Sequence, residues 1–158
     1  MTFSCGPVVI VGGGAMGCLF GAHIAEAGFR VTLVNRSPDI GARIAERGIV
    51  LEWDGHTRHI HGVRATTEHT ALRDASLVLL CVKAAATRRA AEDMRAHLRE
   101  GALVLTLQNG LGNVATLTDI LPAAAVAAGT AGSGATLLGP GHIRQAGIAE
   151  TVIGELDG

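Results

Sequence analysis

The chain has 158 residues, 48% of them hydrophobic and 17% charged, with a formal net charge of -1. With 13 basic against 14 acidic side chains, no long run of either sign, and only three Phe, one Trp and no Tyr, it has neither an extended phosphate-binding surface nor stacking platforms, which excludes nucleic acid as its main partner. A chain of this length buries roughly 68 to 70% of the surface its unfolded form exposes, so it needs no disulfide or metal to fold.

In chain order, residues 8–11 form an uninterrupted apolar run, as expected of a parallel strand covered on both faces. Residues 12–17 follow, and then a helix to about Ala27 with Gly28 as its C-terminal stop. The stretch 7–29 is apolar enough to imitate a leader or a membrane segment. However, no Lys or Arg precedes Arg30, and Glu26 and closely spaced glycines interrupt it, so it reads as a buried strand and helix with no membrane partner. Residues 31–34 predict a second strand, and Ser37 with Pro38 gives an N-cap and first helical position for a helix ending before Gly48. Between residues 49 and 63 the pattern turns short and polar, a side excursion with Asp54-Gly55 as a hairpin turn.

The strand-helix rhythm then resumes with a strand over 77–82, a helix over 84–98 whose Met94 and Leu98 share a face, and a strand over 103–107. A short helix near 113–121 stops before Pro122, and 125–129 reads as a sixth strand. In the tail, residues 142–146 and 150–153, set around Gly147 after Gly139-Pro140-Gly141, read as an antiparallel hairpin. The sum predicts an α/β fold with one doubly wound, mostly parallel sheet of the Rossmann type. It places residues 1–158 in a single dinucleotide-binding domain with a C-terminal antiparallel hairpin.

Gly12, Gly13, Gly14, Ala15, Met16 and Gly17 satisfy G-x-G-x-x-G directly after a predicted strand and at the opening of a predicted helix. In that setting Gly12 permits the tight turn, Gly14 lets backbone approach a pyrophosphate, and Gly17 lets the helix pack close to the strand. The helix N-terminus adds unpaired N–H groups and a partial positive charge. The second strand ends in Val34-Asn35-Arg36, where no acid is present to bind ribose hydroxyls. A guanidinium there can grip a phosphate by two parallel hydrogen bonds, which favours NADP over NAD.

Lys83 and Asn109 fall at the carboxyl ends of predicted strands, where open α/β sheets bind ligands. Asn109 opens the turn Asn109-Gly110-Leu111-Gly112 and can present both a donor and an acceptor, although turn chemistry alone also accounts for it, and a solvated helix start accounts for Lys83. His56, His59 and His61 are read as a polar hairpin surface rather than a metal site, because only His59 and His61 share a strand face and no carboxylate or thiolate stands at matching spacing. Three cysteines at scattered positions, Cys5, Cys18 and Cys81, give no disulfide framework and point to the cytoplasm. Cys18 and Cys81 lie in apolar helix and strand positions, where a thiol is inert packing.

The ordered combination of residues 12–17, Val34-Asn35-Arg36, Val82-Lys83-Ala84, Asn109-Gly110-Leu111-Gly112, Gly139-Pro140-Gly141 and Thr151-Val152-Ile153-Gly154 resembles the N-terminal domain of the ketopantoate reductase (2-dehydropantoate 2-reductase) family, over essentially the whole chain. The resemblance implies an NADPH-dependent oxidoreductase that reduces a 2-oxo acid, 2-dehydropantoate to pantoate, in pantothenate and coenzyme A biosynthesis. It implies that Gly12 to Gly17 hold the pyrophosphate and Arg36 the 2′-phosphate. It further implies that Lys83 lies by the cofactor, that Asn109 bridges the nicotinamide ribose and the substrate, and that Ala135 meets the cofactor through its backbone.

Members of the family continue into a helical second domain that carries the proton-donating lysine and an acid for the substrate hydroxyl. The helical domain is expected to be absent from a sequence that stops at Gly158, so no catalytic residue is assigned within it. Without a positioned acid, hydride delivery to a ketone forfeits about 10²- to 10⁴-fold in rate, so the chain alone is expected to bind NADP and turn over little. Its uncovered face predicts a helical partner domain or subunit, or self-association. Two other readings remain open: a stand-alone NADP-binding or regulatory module without catalysis, and a related reductase of another 2-oxo acid.

Overall fold

The computed structural model describes residues 6–110 and 112–156, so Cys5 and Leu111 lie outside the described residues. In chain order the elements are β1 (Val8–Val11), α1 (Ala15–Glu26), β2 (Val31–Val34), α2 (Pro38–Arg47), β3 (Ile49–Trp53), β4 (His56–Ile60) and β5 (Val63–Thr66). A short 3-10 turn (His69–Asp74), β6 (Leu77–Leu80), a second such turn (Ala84–Ala86), α3 (Thr87–Arg95), β7 (Leu103–Thr106) and α4 (Asn113–Thr118) follow. The chain ends in β8 (Val126–Ala131), β9 (Gly134–Gly139), β10 (His142–Gly147) and β11 (Thr151–Glu155).

The main sheet runs β11-β8-β7-β6-β1-β2-β5. All neighbours in it are parallel except β11, which pairs antiparallel with β8. Taken as first to sixth, the parallel strands lie in the doubly wound Rossmann order, which reverses direction beside β1. Alternation along β1 sends Val8 and Ile10 to one face, with Cys18 and Leu19 of α1, and Val9 and Val11 to the other, with Ala91 and Met94 of α3 and Leu117 of α4. Leu98 packs against that second cluster with Met94, as the helical spacing predicts.

A second sheet, ordered β4-β3-β10-β9, covers the outer side of α1. The helix is therefore buried on two sides, which explains why its sequence is apolar all round rather than striped. At Gly21 a Cβ would lie 3.4 Å from Ile10 of the main sheet and 3.6 Å from Ile49 of the small one, so the glycine marks where α1 is thinnest between them.

Three features differ from the sequence expectation. The antiparallel hairpin at the C-terminal end has β9 and β10 as its arms, turning at Pro140-Gly141 with Gly141 at φ +68°, rather than residues 142–146 and 150–153. β10 buries Ile143 and Gln145 and pairs in parallel with β3, while β11 departs to the main sheet. The hairpin expected at Asp54-Gly55 forms from β3 and β4, and this pairing makes it half of the second sheet. β5, absent from the sequence reading, is the edge strand beside β2. The helix expected over 84–98 is shorter, with a 3-10 turn over its first residues and no side-chain cap.

Glu52 joins the two halves of the small sheet, with Oε2 2.7 Å from Arg144 Nη2 and Oε1 accepting from His142 Nε2 at 2.8 Å. Hydrogen bonds from Arg144 and then His142 hold its carboxyl below the ordinary glutamate range. A lowered folded-state value stabilises the fold above the ordinary value and is lost as pH falls through the lowered one. The melting-temperature difference between the wild type and Glu52→Gln is therefore expected to be small and to shrink further as pH falls below about 4.3. A difference that stays constant into strong acid would contradict this account.

Candidate functional site

The glycine turn is shaped by what surrounds it. Gly12 sits at φ +113°, and its N–H donates to the Val34 carbonyl at 2.9 Å. A Cβ on Gly12 would lie 2.8 Å from the carbonyl carbon and oxygen of Cys81, so the turn is wedged between the ends of β2 and β6. At Gly17 a Cβ would overlap the carbonyl oxygen of Gly12, which fixes how closely α1 approaches the turn. Gly14 is the N-cap of α1, and a Cβ there would meet nothing within 4 Å. The turn thus presents backbone to open space where the first N–H groups of the helix lack intrahelical acceptors.

Asn35 clasps this turn from the end of β2. Its Oδ1 accepts from Gly13 N–H at 3.3 Å and its Nδ2 donates to the Ser37 carbonyl at 3.1 Å. Sequence reasoning noted Asn35 only as the residue in place of an acid. Ser37 caps α2 as expected, accepting from Asp39 N–H at 3.3 Å.

A cavity of about 500 Å³ opens at the carboxyl ends of β1, β2 and β6 and brings together Gly12, Gly13, Gly14, Arg36 and Lys83. Arg36 and Lys83 are exposed, and among the described residues neither has a carboxylate at ion-pair distance. The one acid in the lining is Asp93 of α3. Ala15, Met16 and Gly17 form the first turn of α1 behind the cavity. Asn109 is exposed in the segment after β7, and Ala135 lies within β9, paired with Gln145 and packed against the α1 layer; neither lines this cavity. A larger open groove of about 840 Å³ lies toward the amino ends of β1, β2 and β5, with Pro7, Arg30 and Gly62 in its lining, and is remote from the glycine turn. Open α/β sheets bind ligands at the carboxyl ends, which favours the smaller cavity.

A buried polar chain supports the far side of the site, and the sequence reading missed it. Gln108 Nε2 donates to the Val82 carbonyl at 2.6 Å and to Thr87 Oγ1 at 3.0 Å, while Thr106 Oγ1 donates to Gln108 Oε1 at 3.0 Å. Thr87 in turn donates to Asn113 Oδ1 at 3.0 Å, and Asn113 Nδ2 donates to the carbonyls of Asn109 and Gly110, both at 3.1 Å. The chain connects the segment carrying Lys83 with the turn carrying Asn109. The polar residues flanking Asn109 were the available signal, but their pairing depends on how α3, α4 and β7 meet.

Burial pushes the Cys18 thiol up to about 11, and burial followed by the neighbouring Cys18 pushes Cys81 up to about 12. Both are protonated at neutral pH and neither is an activated nucleophile. His56, His59 and His61 are exposed on or just after β4, where His59 Nδ1 donates to the Arg47 carbonyl at 2.9 Å. Among the described residues, no helix is long and apolar enough to cross a membrane.

A parallel sheet whose order reverses beside β1, with a glycine turn and a helix N-terminus opening on a carboxyl-end cavity, defines a Rossmann-type fold. A sequence profile of the family described as Ketopantoate reductase PanE/ApbA matches residues 8–158. The 2-dehydropantoate 2-reductase of Halobacterium salinarum is 40% identical over 152 residues, which cover 96% of this chain and 50% of that protein. The crystal structure of a PanE/ApbA family ketopantoate reductase from Ralstonia eutropha matches with a TM-score of 0.86 at 39% identity, over 93% of this chain and 48% of its own. The crystal structure of 2-dehydropantoate 2-reductase from Geobacter metallireducens matches with a TM-score of 0.85 at 29% identity, over 94% of this chain and 49% of its own. The chain belongs to the ketopantoate reductase family, and it spans about half the length of the curated relatives it matches.

Proposed function

We propose that residues 1–158 form a dinucleotide-binding domain supplying the cofactor half of a cytoplasmic, NADPH-dependent 2-oxo-acid reductase, with 2-dehydropantoate reduced to pantoate for pantothenate biosynthesis. The observation that carries this reading is the cavity into which the glycine turn, Arg36 and Lys83 all face, with no carboxylate at the end of β2. The residues fit a dinucleotide: open space in front of Gly14 suits a pyrophosphate, and the unpaired guanidinium of Arg36 suits the 2′-phosphate.

In this reading Gly12 to Gly17 hold the pyrophosphate, Lys83 lies along the cofactor, Asn109 reaches the nicotinamide ribose and the substrate, and Ala135 offers its backbone. When bound, the nicotinamide supplies the hydride, and the chain's own residues bind and orient it. None of the described residues is assigned the proton transfer to the ketone oxygen. That role falls to the half of the relatives' length beyond this match, so the 158 residues by themselves hold cofactor and turn over little.

Calorimetric titration of the folded chain with NADPH and NADH tests the reading. Tight NADPH binding is expected, and Arg36→Ala is expected to weaken it by about 1.5 to 3 kcal/mol through loss of charged hydrogen bonds, with NADH little affected. A folded chain that binds neither nucleotide would overturn the proposal.

A further inference from the structure

Arg36 does not face the cavity alone. α3 presents a stripe at helical spacing, Arg89, Ala90 and Asp93, which continues from Ala86 at its N-cap, and all of these residues line the cavity that holds Arg36 and the glycine turn. The alanines keep the wall low, so the one long cationic side chain of the stripe has room to extend over the opening. The 3-10 turn His69–Asp74 packs against both α3 and β2, which brings the wall carrying Arg89 to the β2 side, where Arg36 follows the strand.

The ion pairing of Arg89 matters as much as its place. Its Nε lies 3.8 Å from Asp93 Oδ2, a loose contact between exposed groups that leaves both terminal nitrogens available. Arg36, Lys83 and Arg89 bring three basic side chains to the lining, against the single carboxylate of Asp93. That excess of positive charge suits an anionic ligand. The neighbouring Arg88 points elsewhere: it reaches Asp119 at 3.4 Å and lines no part of the cavity.

We infer that Arg89 is a second specificity-determining residue for the cofactor, closing on the 2′-phosphate from α3 while Arg36 closes on it from the end of β2. The inference rests on the proposed NADPH site and adds to it the residue on the opposite wall. Two guanidiniums on separate elements select a phosphate over a ribose diol more sharply than one, because each offers a planar pair of donors whose bonds to an anionic phosphate are stronger than those to neutral hydroxyls.

The test titrates the wild type, Arg89→Ala and Arg88→Ala with NADP⁺, NAD⁺ and 2′,5′-ADP, with melting curves to confirm folding. Arg89→Ala is expected to weaken NADP⁺ and 2′,5′-ADP by about tenfold or more while NAD⁺ stays within about twofold, and Arg88→Ala should leave all three within about twofold. Equal losses of NADP⁺ and NAD⁺ would place Arg89 at the pyrophosphate or in the fold and overturn the inference. Unchanged NADP⁺ binding would overturn it as well. In both cases a wild type that still prefers NADP⁺ leaves the proposed function standing, whereas a wild type that binds no nucleotide removes both.

Discussion

Gly17→Ala is expected to melt far below the wild type, whereas Gly14→Ala is expected to melt with it and yet bind dinucleotide about tenfold more weakly or worse. Both positions belong to the same glycine motif, but they face different things. At Gly17 the added carbon falls on the carbonyl oxygen of Gly12, a backbone atom with nowhere to go: Gly12 is hydrogen-bonded to Val34 on one side and abuts the Cys81 backbone on the other. The strain must be relieved by lifting α1 from β1, which unpacks Cys18 and Leu19 from the layer they share with Ile10. Overpacking against backbone costs about 3 kcal/mol, which for a domain of this size lowers the melting temperature by about 6 to 12 °C.

At Gly14 the backbone is extended, with φ −76° and ψ −168°, and the added carbon meets nothing within 4 Å, so the fold should change by no more than about 0.5 kcal/mol. The methyl group instead occupies the space through which a pyrophosphate would approach the helix N-terminus. Thermal melts paired with nucleotide titration separate the two effects. If Gly14→Ala bound NADPH as the wild type does, the pyrophosphate could not lie against that turn.

The same contrast explains which parts of the molecule were legible in its sequence. The glycine turn was readable because its demands are local: a strand before it, a helix after it and small residues at three fixed spacings. β1 was readable because a strand buried on both faces is continuously apolar, and β2 because its four residues are all β-branched or apolar, with only Thr32 polar. β5 was not, because an edge strand of four residues with Arg64 exposed and Val63 buried is too short to establish a period. The tail misled because a turn at Gly147 is a local signal, whereas the pairing that prevails, β10 with β3, joins His142 to Val50 across most of the chain. Arg36 could be nominated from its place after β2, but Arg89 could not, since helical phase gives which residues share a face and not which face meets the cavity. The clasp of Asn35 on Gly13 is hidden for the same reason, two residues far apart in sequence that meet only when β1 and β2 are in register.

The polar chain from Val82 to Gly110 is the least legible part of the site, and disrupting it should have the second large effect. Asn113→Ala removes the nearer acceptor of the buried Thr87 hydroxyl, leaving Gln108 Oε1 at 3.4 Å, and with it the donor to the Asn109 and Gly110 carbonyls. Losing three hydrogen bonds at roughly 0.5 to 1.5 kcal/mol each gives an expected loss of about 2 kcal/mol and a fall of about 4 to 8 °C in melting temperature.

Thr87→Val added to Asn113→Ala should cost less than Thr87→Val alone, because the hydroxyl it deletes has already lost its nearer acceptor. A coupling of about 1 kcal/mol in the double-mutant cycle would measure that link. The functional consequence should be confined to one end of the cofactor. The turn carrying Asn109 loses its anchor, while Asn113 makes no hydrogen bond to Arg36 or the glycine turn. NADPH should therefore bind more weakly to Asn113→Ala while 2′,5′-ADP, which lacks the nicotinamide half, binds as to the wild type. Parallel weakening of both ligands would mean that the polar chain supports the whole sheet edge rather than the nicotinamide end.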